Sequence, residues 1–367
     1  MHMKLTIAAI AVPAAVILLV LAAPGSPAFP QRAAGTVSAN DVHIGVLGLF
    51  HPREFMVSTV AGTALVIQAD EERIVLEQSS GIQTARVRID GNAVVLMAGV
   101  NTVRAATLVI KGRRNEPVNF VLAVPDKFSR HYRGTLEIKP AAGDLLAIVA
   151  MDREIAVASV VAAESTPGTP LEALKAQAVA ARSYLIVGSG RHRDFDACDT
   201  THCQFLREPP APDSAVAKAV AATRGLVLAY DSRPFAAMYT RSCGGQTHTP
   251  AELNLPPATY PYYSVECEYC RAHPARWISR ISAKDATALH SSDESARLKL
   301  VRRLGWSAVP SNDFIIKKEN RASILEGTGR GHGIGLCQSG ARAMAEKGAG
   351  FRQILSHYYP NTALVDL

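Results

Sequence analysis

The chain has 367 residues, 48% of them hydrophobic and 19% charged, with a formal net charge of +7 and a sequence pI near 9.1. This length and apolar content suffice for a packed core and about two domains, and they exclude a disordered or fibrous chain. The positive balance suits an anionic polymer partner, but no basic run exceeds Arg302-Arg303 or Lys317-Lys318, and the sequence carries no nucleic-acid motif.

The first element is Lys4 followed by the apolar run Leu5 to Ala23 and then Pro24-Gly25-Ser26-Pro27-Ala28. A short positive end, an apolar stretch and small residues form the layout of a signal peptide over 1–28. The run is also nearly long enough to remain as a membrane anchor, so both readings stay open. Either one places the remainder outside the cytoplasmic membrane. Residues 29–41, small and polar, read as a linker. The six cysteines, Cys198, Cys203, Cys243, Cys267, Cys270 and Cys337, all fall in the C-terminal half. In an exported chain an even number favours disulfides, although close pairs can also hold a metal.

From 42 to 125 short β-branched runs alternate with turn signals such as Asp90-Gly91-Asn92, which predicts a β-rich region. It contains no cluster of catalytic residue types. Arg130 to Ile138 reads as a strand with a glycine bend, and Asp144 to Ala150 leads into a helix. The expected fold is α+β, a β-rich N-terminal region followed by a mixed α/β domain over 126–367. Two alanine-rich helices, broken at Ser165-Thr166-Pro167-Gly168, span Asp152 to Tyr184. Thr169-x-x-Glu172 predicts a capping box, with Pro170 at the first helical position. Further helices are expected over Ser214 to Arg224, within Ser282 to Leu304, over Gln338 to Lys347 and over Phe351 to Tyr359. Leu226 to Tyr230 and Phe235 to Tyr239 read as a hairpin, and Asp313 to Lys318 and Ala322 to Glu326 as strands.

Glu164 ends the first alanine-rich helix. There the negative end of the helix dipole and the apolar neighbours both disfavour its charge, which raises its pKa. A general acid working near neutral pH requires such a shift. Taken locally, a solvated helix-end carboxylate is the more ordinary reading of this residue, ahead of a catalytic one.

Five motifs appear in order: LKAQAVAARSY (Leu174 to Tyr184), CDTTHCQFL (Cys198 to Leu206), YTRSCGGQT (Tyr239 to Thr247), GRGHGIGLCQSGA (Gly329 to Ala341) and ILSHYYPNT (Ile354 to Thr362). From about Phe128 to the C-terminus the chain resembles the SpoIID/LytB family, and LGLFHPREF (Leu47 to Phe55) is similar to the start of members with a β-rich leading region. The resemblance implies an exported peptidoglycan lytic transglycosylase. Such an enzyme cuts glycan strands, preferably stripped of stem peptides, after N-acetylmuramic acid and leaves an anhydro end. It also implies that Glu164 is the catalytic residue, acting first as acid and then as base. Asp199 is then either a second carboxylate or a turn former. Ser183 stands where Thr is more usual, which keeps the hydroxyl.

The resemblance further implies that Lys175 and Arg182 lie along the cleft, and that Gln204, Tyr239 and Ser242 contact substrate. His332 is either a sugar contact or the centre of a tight loop, and Tyr358 either walls the cleft or is core. No cofactor is required for this chemistry. His192, Cys198 and Cys203 have a spacing that can close on zinc (Zn) with Glu164 or water as fourth ligand, as in some members; a Cys198–Cys203 disulfide is the alternative. Cys243, Cys267, Cys270 and Cys337 read first as two disulfides and second as a zinc site. Other readings are a glycan-binding, LytB-type modifier of a cell-wall amidase and a zinc-dependent hydrolase.

Overall fold

Thr84 to Asp90 alternates exposed and buried side chains along its length, and Val118 to Val124 does the same in smaller contrast. Such alternation makes a strand with one face in the core. A computed structural model describes residues 40–188, 192–290, 292–320 and 322–367. The expected signal or anchor segment, and the linker up to residue 39, lie outside them. Among the described residues no helix is long and apolar enough to cross a membrane.

The first half is built of β1 (Asp41–Val46), β2 (Glu54–Thr59), β3 (Leu65–Ala69), β4 (Glu72–Leu76), β5 (Thr84–Asp90) and β6 (Ala93–Ala98). It continues with β7 (Asn101–Ala105), β8 (Leu108–Lys111), β9 (Val118–Val124), β10 (Phe128–Ala141) and β11 (Asp144–Asp152). Strand β10 serves three neighbours, and its Leu136 to Ile138 stretch pairs with β8. Phe128 to Gly134 pairs with β9, and Thr135 to Ala141 pairs with β11. Gly134 sits at the changeover, where a Cβ would meet the Ala150 carbonyl oxygen at 2.3 Å and Val149 Cγ1 at 2.8 Å. Gly134→Ala is therefore expected to lower stability by about 1–3 kcal/mol, read as a lower denaturation midpoint.

Strand β1 pairs antiparallel with β11 and parallel with the short β12 (Ala197–Cys198). Residues 125 and 126, where the sequence places a boundary, lie in the turn that joins the paired strands β9 and β10.

The first helix, α1 (Arg153–Glu164), follows β11 directly, and α2 (Leu171–Val187) follows after a turn over residues 165–170. The Asp152 side chain caps α1 by accepting from the backbone N–H groups of Glu154 and Ile155. The expected capping box at α2 is not formed. Thr169 instead donates to the Thr166 carbonyl at 2.7 Å, and Glu172 is engaged by Lys175 and by the Phe351 N–H. The tight Thr166–Thr169 turn leaves Pro170 as the capping residue.

Alanine richness has a packing reason. One side of α2 (Leu174, Ala178, Ala181, Leu185) joins the core shared with the β-region, while Ala176, Val179 and Ala180 join a second core with the C-terminal elements. A helix covered on nearly every side needs small side chains for close approach.

The second half contains α3 (Ala215–Ala222), β13 (Leu226–Tyr230), β14 (Arg233–Pro234), β15 (Tyr239–Thr240) and α4 (Glu268–Ala272). Then come β16 (Arg276–Ser282), α5 (Ala283–Thr287), α6 (Glu294–Leu304), β17 (Asp313–Lys318) and β18 (Ala322–Thr328). The chain closes with β19 (Leu336–Cys337), α7 (Gln338–Glu346), α8 (Phe351–Tyr358) and β20 (Ala363–Asp366). The hairpin expected to run to Tyr239 stops at Pro234. Strand β13 takes β20 as its second partner, and Tyr239-Thr240 pairs in parallel with Leu336-Cys337. Strands β16, β18 and β17 carry their own small core with α5 and α6 around Trp277, Leu300, Phe314 and Leu325.

Candidate active site

The α1–α2 break opens onto a cavity of about 410 Å³ lined by Glu164, Thr166, Gln177, Arg241, Tyr269 and Gln338, among others. Glu164 is the last residue of α1, with Ser165 closing the helix through its N–H to the Val161 carbonyl. Burial raises the Glu164 pKa above the ordinary glutamate value. The Phe205 backbone N–H, the Arg241 charge, the Gln338 side chain and Arg207 each oppose that rise. These groups fix the carboxyl's orientation and moderate the penalty of burying it.

Several segments hold this arrangement. Arg241 donates from Nη1 to the Glu164 carbonyl at 3.1 Å, and Ser339 binds the Arg241 carbonyl through its hydroxyl. Gln338 at the start of α7 donates to the Gln177 side chain of α2 at 3.3 Å. The loop carrying Phe205 runs along α1, where the Arg207 N–H reaches the Ser159 carbonyl. The only other acid lining the cavity among the described residues is Glu346, exposed and paired with Arg342 at 2.8 Å. Asp199 lies elsewhere. It is buried, accepts from the Leu47 N–H and pairs with Arg130 at 3.6 Å.

Most residues expected in the cleft are placed differently. Arg182 is fully buried and grips Glu154 through two hydrogen bonds of 2.8 and 2.7 Å, while also donating to the Leu226 carbonyl. It ties α1, α2 and β13 together, because a guanidinium this deep needs a carboxylate and carbonyls around it. Lys175 pairs with Glu172 at 2.6 Å and lies over the Phe351 ring, away from the cavity lining. Ser242 is buried, with its hydroxyl 3.4 Å from the Cys270 sulfur. Tyr358 is core, 3.5 Å from the Cys267 sulfur.

His332 is the centre of its loop. Its Nδ1 accepts from the Ile334 N–H at 3.0 Å, and burial lowers its pKa to about 4, so the ring is neutral. Tyr239 and Gln204 lie behind Glu164 rather than in the cavity. Burial pushes the Tyr239 pKa well up and the nearby Glu164 carboxylate adds to the rise, while the Gln204 side chain opposes it. Gln204 itself donates to the Ala181 carbonyl at 3.2 Å. The Ser183 hydroxyl donates to the Val179 carbonyl and accepts from the Leu228 N–H, which accounts for a hydroxyl at that position.

Arg241, Tyr269, Gln177 and Gln338 were not singled out by the sequence reading. Arg241 and Gln338 lie inside quoted motifs, YTRSCGGQT and GLCQSGA. The parallel β15–β19 pairing that brings those motifs together is the missing signal.

Near the same loop, His192, Cys198, His202 and Cys203 place their ligand atoms within 4.8 Å of one another. His192 Nε2 is 3.2 Å from the Cys203 sulfur, and His202 Nδ1 is 3.8 and 3.6 Å from the sulfurs of Cys198 and Cys203. His202, rather than Glu164, completes this group of four. A His2Cys2 donor set of this size suits four-coordinate zinc.

Residues 141–230 match the SpoIID family model, described as Stage II sporulation protein. An uncharacterized protein of Brachyspira hyodysenteriae is 30% identical over 268 residues, covering 64% of this chain and 72% of that one. Stage II sporulation protein D of Bacillus amyloliquefaciens is 27% identical over 248 residues, covering 55% of this chain and 71% of that one. The amidase enhancer of Bacillus subtilis is 25% identical over 272 residues, covering 53% of this chain and 38% of that one.

Proposed function

This chain belongs to the SpoIID/LytB family, and on that premise we propose that it is an exported peptidoglycan lytic transglycosylase acting on peptide-stripped glycan strands. The observation that carries the reading is Glu164, a partly buried carboxyl of raised pKa in the wall of a polar cavity. In its protonated form Glu164 gives its proton to the glycosidic oxygen between N-acetylmuramic acid and N-acetylglucosamine as the C1–O bond breaks. The resulting carboxylate takes the proton from the C6 hydroxyl of the same muramoyl residue, whose oxygen closes on C1. No water is consumed and one carboxyl suffices, unlike the paired carboxylates of ordinary glycoside hydrolases.

Thr166, Gln177, Arg241, Tyr269 and Gln338 are the groups placed to hold sugar hydroxyls and acetamido groups. The net positive charge suits the anionic wall. His192, Cys198, His202 and Cys203 would hold a zinc ion, which when bound would cross-link the loop that presents the Phe205 N–H to Glu164. Because His202 completes that set, Glu164 remains free to carry a proton.

Arg241 moderates the Glu164 pKa, so removing its charge makes the carboxyl a weaker acid. Arg241→Leu is expected to move the alkaline limb of the kcat/KM profile to higher pH, checked by pH-dependent release of soluble glycan.

The similarity to an amidase enhancer supports a second reading, a glycan-binding modifier of a cell-wall amidase. Incubation of the purified protein with peptide-stripped strands, and separately with an amidase on intact wall, distinguishes the two. Release of anhydro-ended fragments by the protein alone supports the transglycosylase. Binding without release, together with faster amidase turnover, supports the modifier.

A further inference from the structure

Cys243, Cys267, Cys270 and Cys337 come from three separate stretches of chain and meet at one point. Their sulfurs all lie within 4.8 Å of one another, and all four residues are buried free thiols. Cys243 follows β15, Cys267 caps α4, Cys270 lies within α4, and Cys337 ends β19 and caps α7. We propose that these four cysteines form a tetrahedral zinc centre that fixes the part of the cavity wall supplied by Arg241, Tyr269, Gln338 and Ser339.

Distance is the first argument. Zinc–sulfur bonds of about 2.3 Å in a tetrahedron place sulfurs about 3.8 Å apart. The Cys270 and Cys337 sulfurs are 3.5 Å apart, and no pair in the set exceeds the 4.8 Å limit. Two disulfides would each join only two sulfurs, at about 2.05 Å, and would gain nothing from crowding all four together.

The surroundings of the sulfurs are the second argument. Cys337 accepts from the Cys243 and Gly340 N–H groups at 3.4 and 3.5 Å. The hydroxyls of Ser242 and Tyr358 approach Cys270 and Cys337's neighbour Cys267 at 3.4 and 3.5 Å. Donors aimed at sulfur stabilise thiolates, the form that binds a metal. Gly340 permits this closeness, since a Cβ there would meet the Tyr358 hydroxyl at 2.0 Å and the Cys267 sulfur at 2.5 Å. An all-thiolate tetrahedral set selects zinc or iron. The Cys-x2-Cys turn with two distant cysteines suits zinc.

The position of the centre gives it a consequence. Arg241, Gln338 and Ser339 lie within two residues of a cluster cysteine, and Tyr269 lies between Cys267 and Cys270. All four line the cavity of Glu164. The centre therefore ties α4 to the short β15–β19 pair and to the start of α7, which is the use of a closed structural zinc site.

The test uses the full chain carrying Cys198→Ser and Cys203→Ser, which removes two donors of the histidine-containing set. Zinc is counted by elemental analysis, and the mass is measured under denaturing, non-reducing conditions. The expected result is close to one zinc per chain, four alkylatable thiols once chelator and denaturant are present, and loss of that zinc on adding Cys267→Ser and Cys270→Ser. A zinc-free protein whose mass is lower by four hydrogens, from two disulfides, overturns the proposal, as does iron in place of zinc. Should the starting variant not fold, peptide mapping of alkylated wild-type protein gives the same decision. Thiols at these positions that react only with chelator in denaturant support the centre, and disulfide-linked peptides containing them overturn it.

Discussion

Replacing Glu164 with Gln lowers turnover of peptide-stripped glycan by on the order of 10²–10⁴-fold while the protein remains folded. The substitution keeps the shape and an oxygen that can accept from the Phe205 N–H, but it removes the proton that the leaving oxygen needs. The loss therefore falls on kcat, with KM nearly unchanged. Stability moves in the other direction. Burial raises the Glu164 pKa in the folded state, so above the ordinary glutamate pKa the folded chain holds a proton that the unfolded chain has released. Stability then falls as pH rises through that window. Wild type is expected to melt at or below the temperature of Glu164→Gln at neutral pH, with the gap closing below the ordinary glutamate range. Thermal melts of both proteins over a pH series check this. A melting temperature well below wild type at neutral pH would mark Glu164 as a structural group.

The second large effect is on folding. Arg182→Leu is expected to lower stability by about 3–5 kcal/mol, because it leaves the Glu154 carboxylate buried without its partner. Glu154 is only 13% exposed, and the lost guanidinium also served the Leu226 carbonyl. Adding Glu154→Leu to the same chain removes the stranded charge and should recover much of the loss. Urea midpoints of the single and double variants measure the coupling. A surface position or a residue contacting sugar would show no such recovery. If Arg182→Leu melts like wild type but raises KM, the residue faces substrate after all.

These two residues mark what the sequence could convey. Both sit in the same alanine-rich stretch, and helix periodicity and end signals place α1 and α2 within a few residues of their observed bounds. Periodicity also places Arg182 on one face with Lys175. It does not say that the face is covered twice over, by the β-region and by the C-terminal elements, which is why a long cationic side chain read as a cleft residue is an internal tie. The capping box failed for a local reason, since the Thr166–Thr169 turn competes for the same hydroxyl. Short pairings between distant segments left no local pattern. Strand β15 pairs with β19 across nearly a hundred residues, and that contact delivers Arg241 and Gln338 to Glu164. His202 escaped notice beside Cys203 because the sequence offers no measure of which neighbouring ring turns inward.

Glu346 at the cavity edge is a second carboxylate, the group that activates water in ordinary glycoside hydrolases, and here it is paired with Arg342. Digestion of peptide-stripped strands in heavy-oxygen water, followed by mass measurement of the new ends, decides whether water is activated here. Ring closure by the substrate's own C6 hydroxyl predicts anhydromuramoyl ends with no heavy oxygen, formed by wild type and absent with Glu164→Gln. Reducing ends that carry the heavy oxygen, or equal cutting by the Gln variant, would contradict the role given to Glu164.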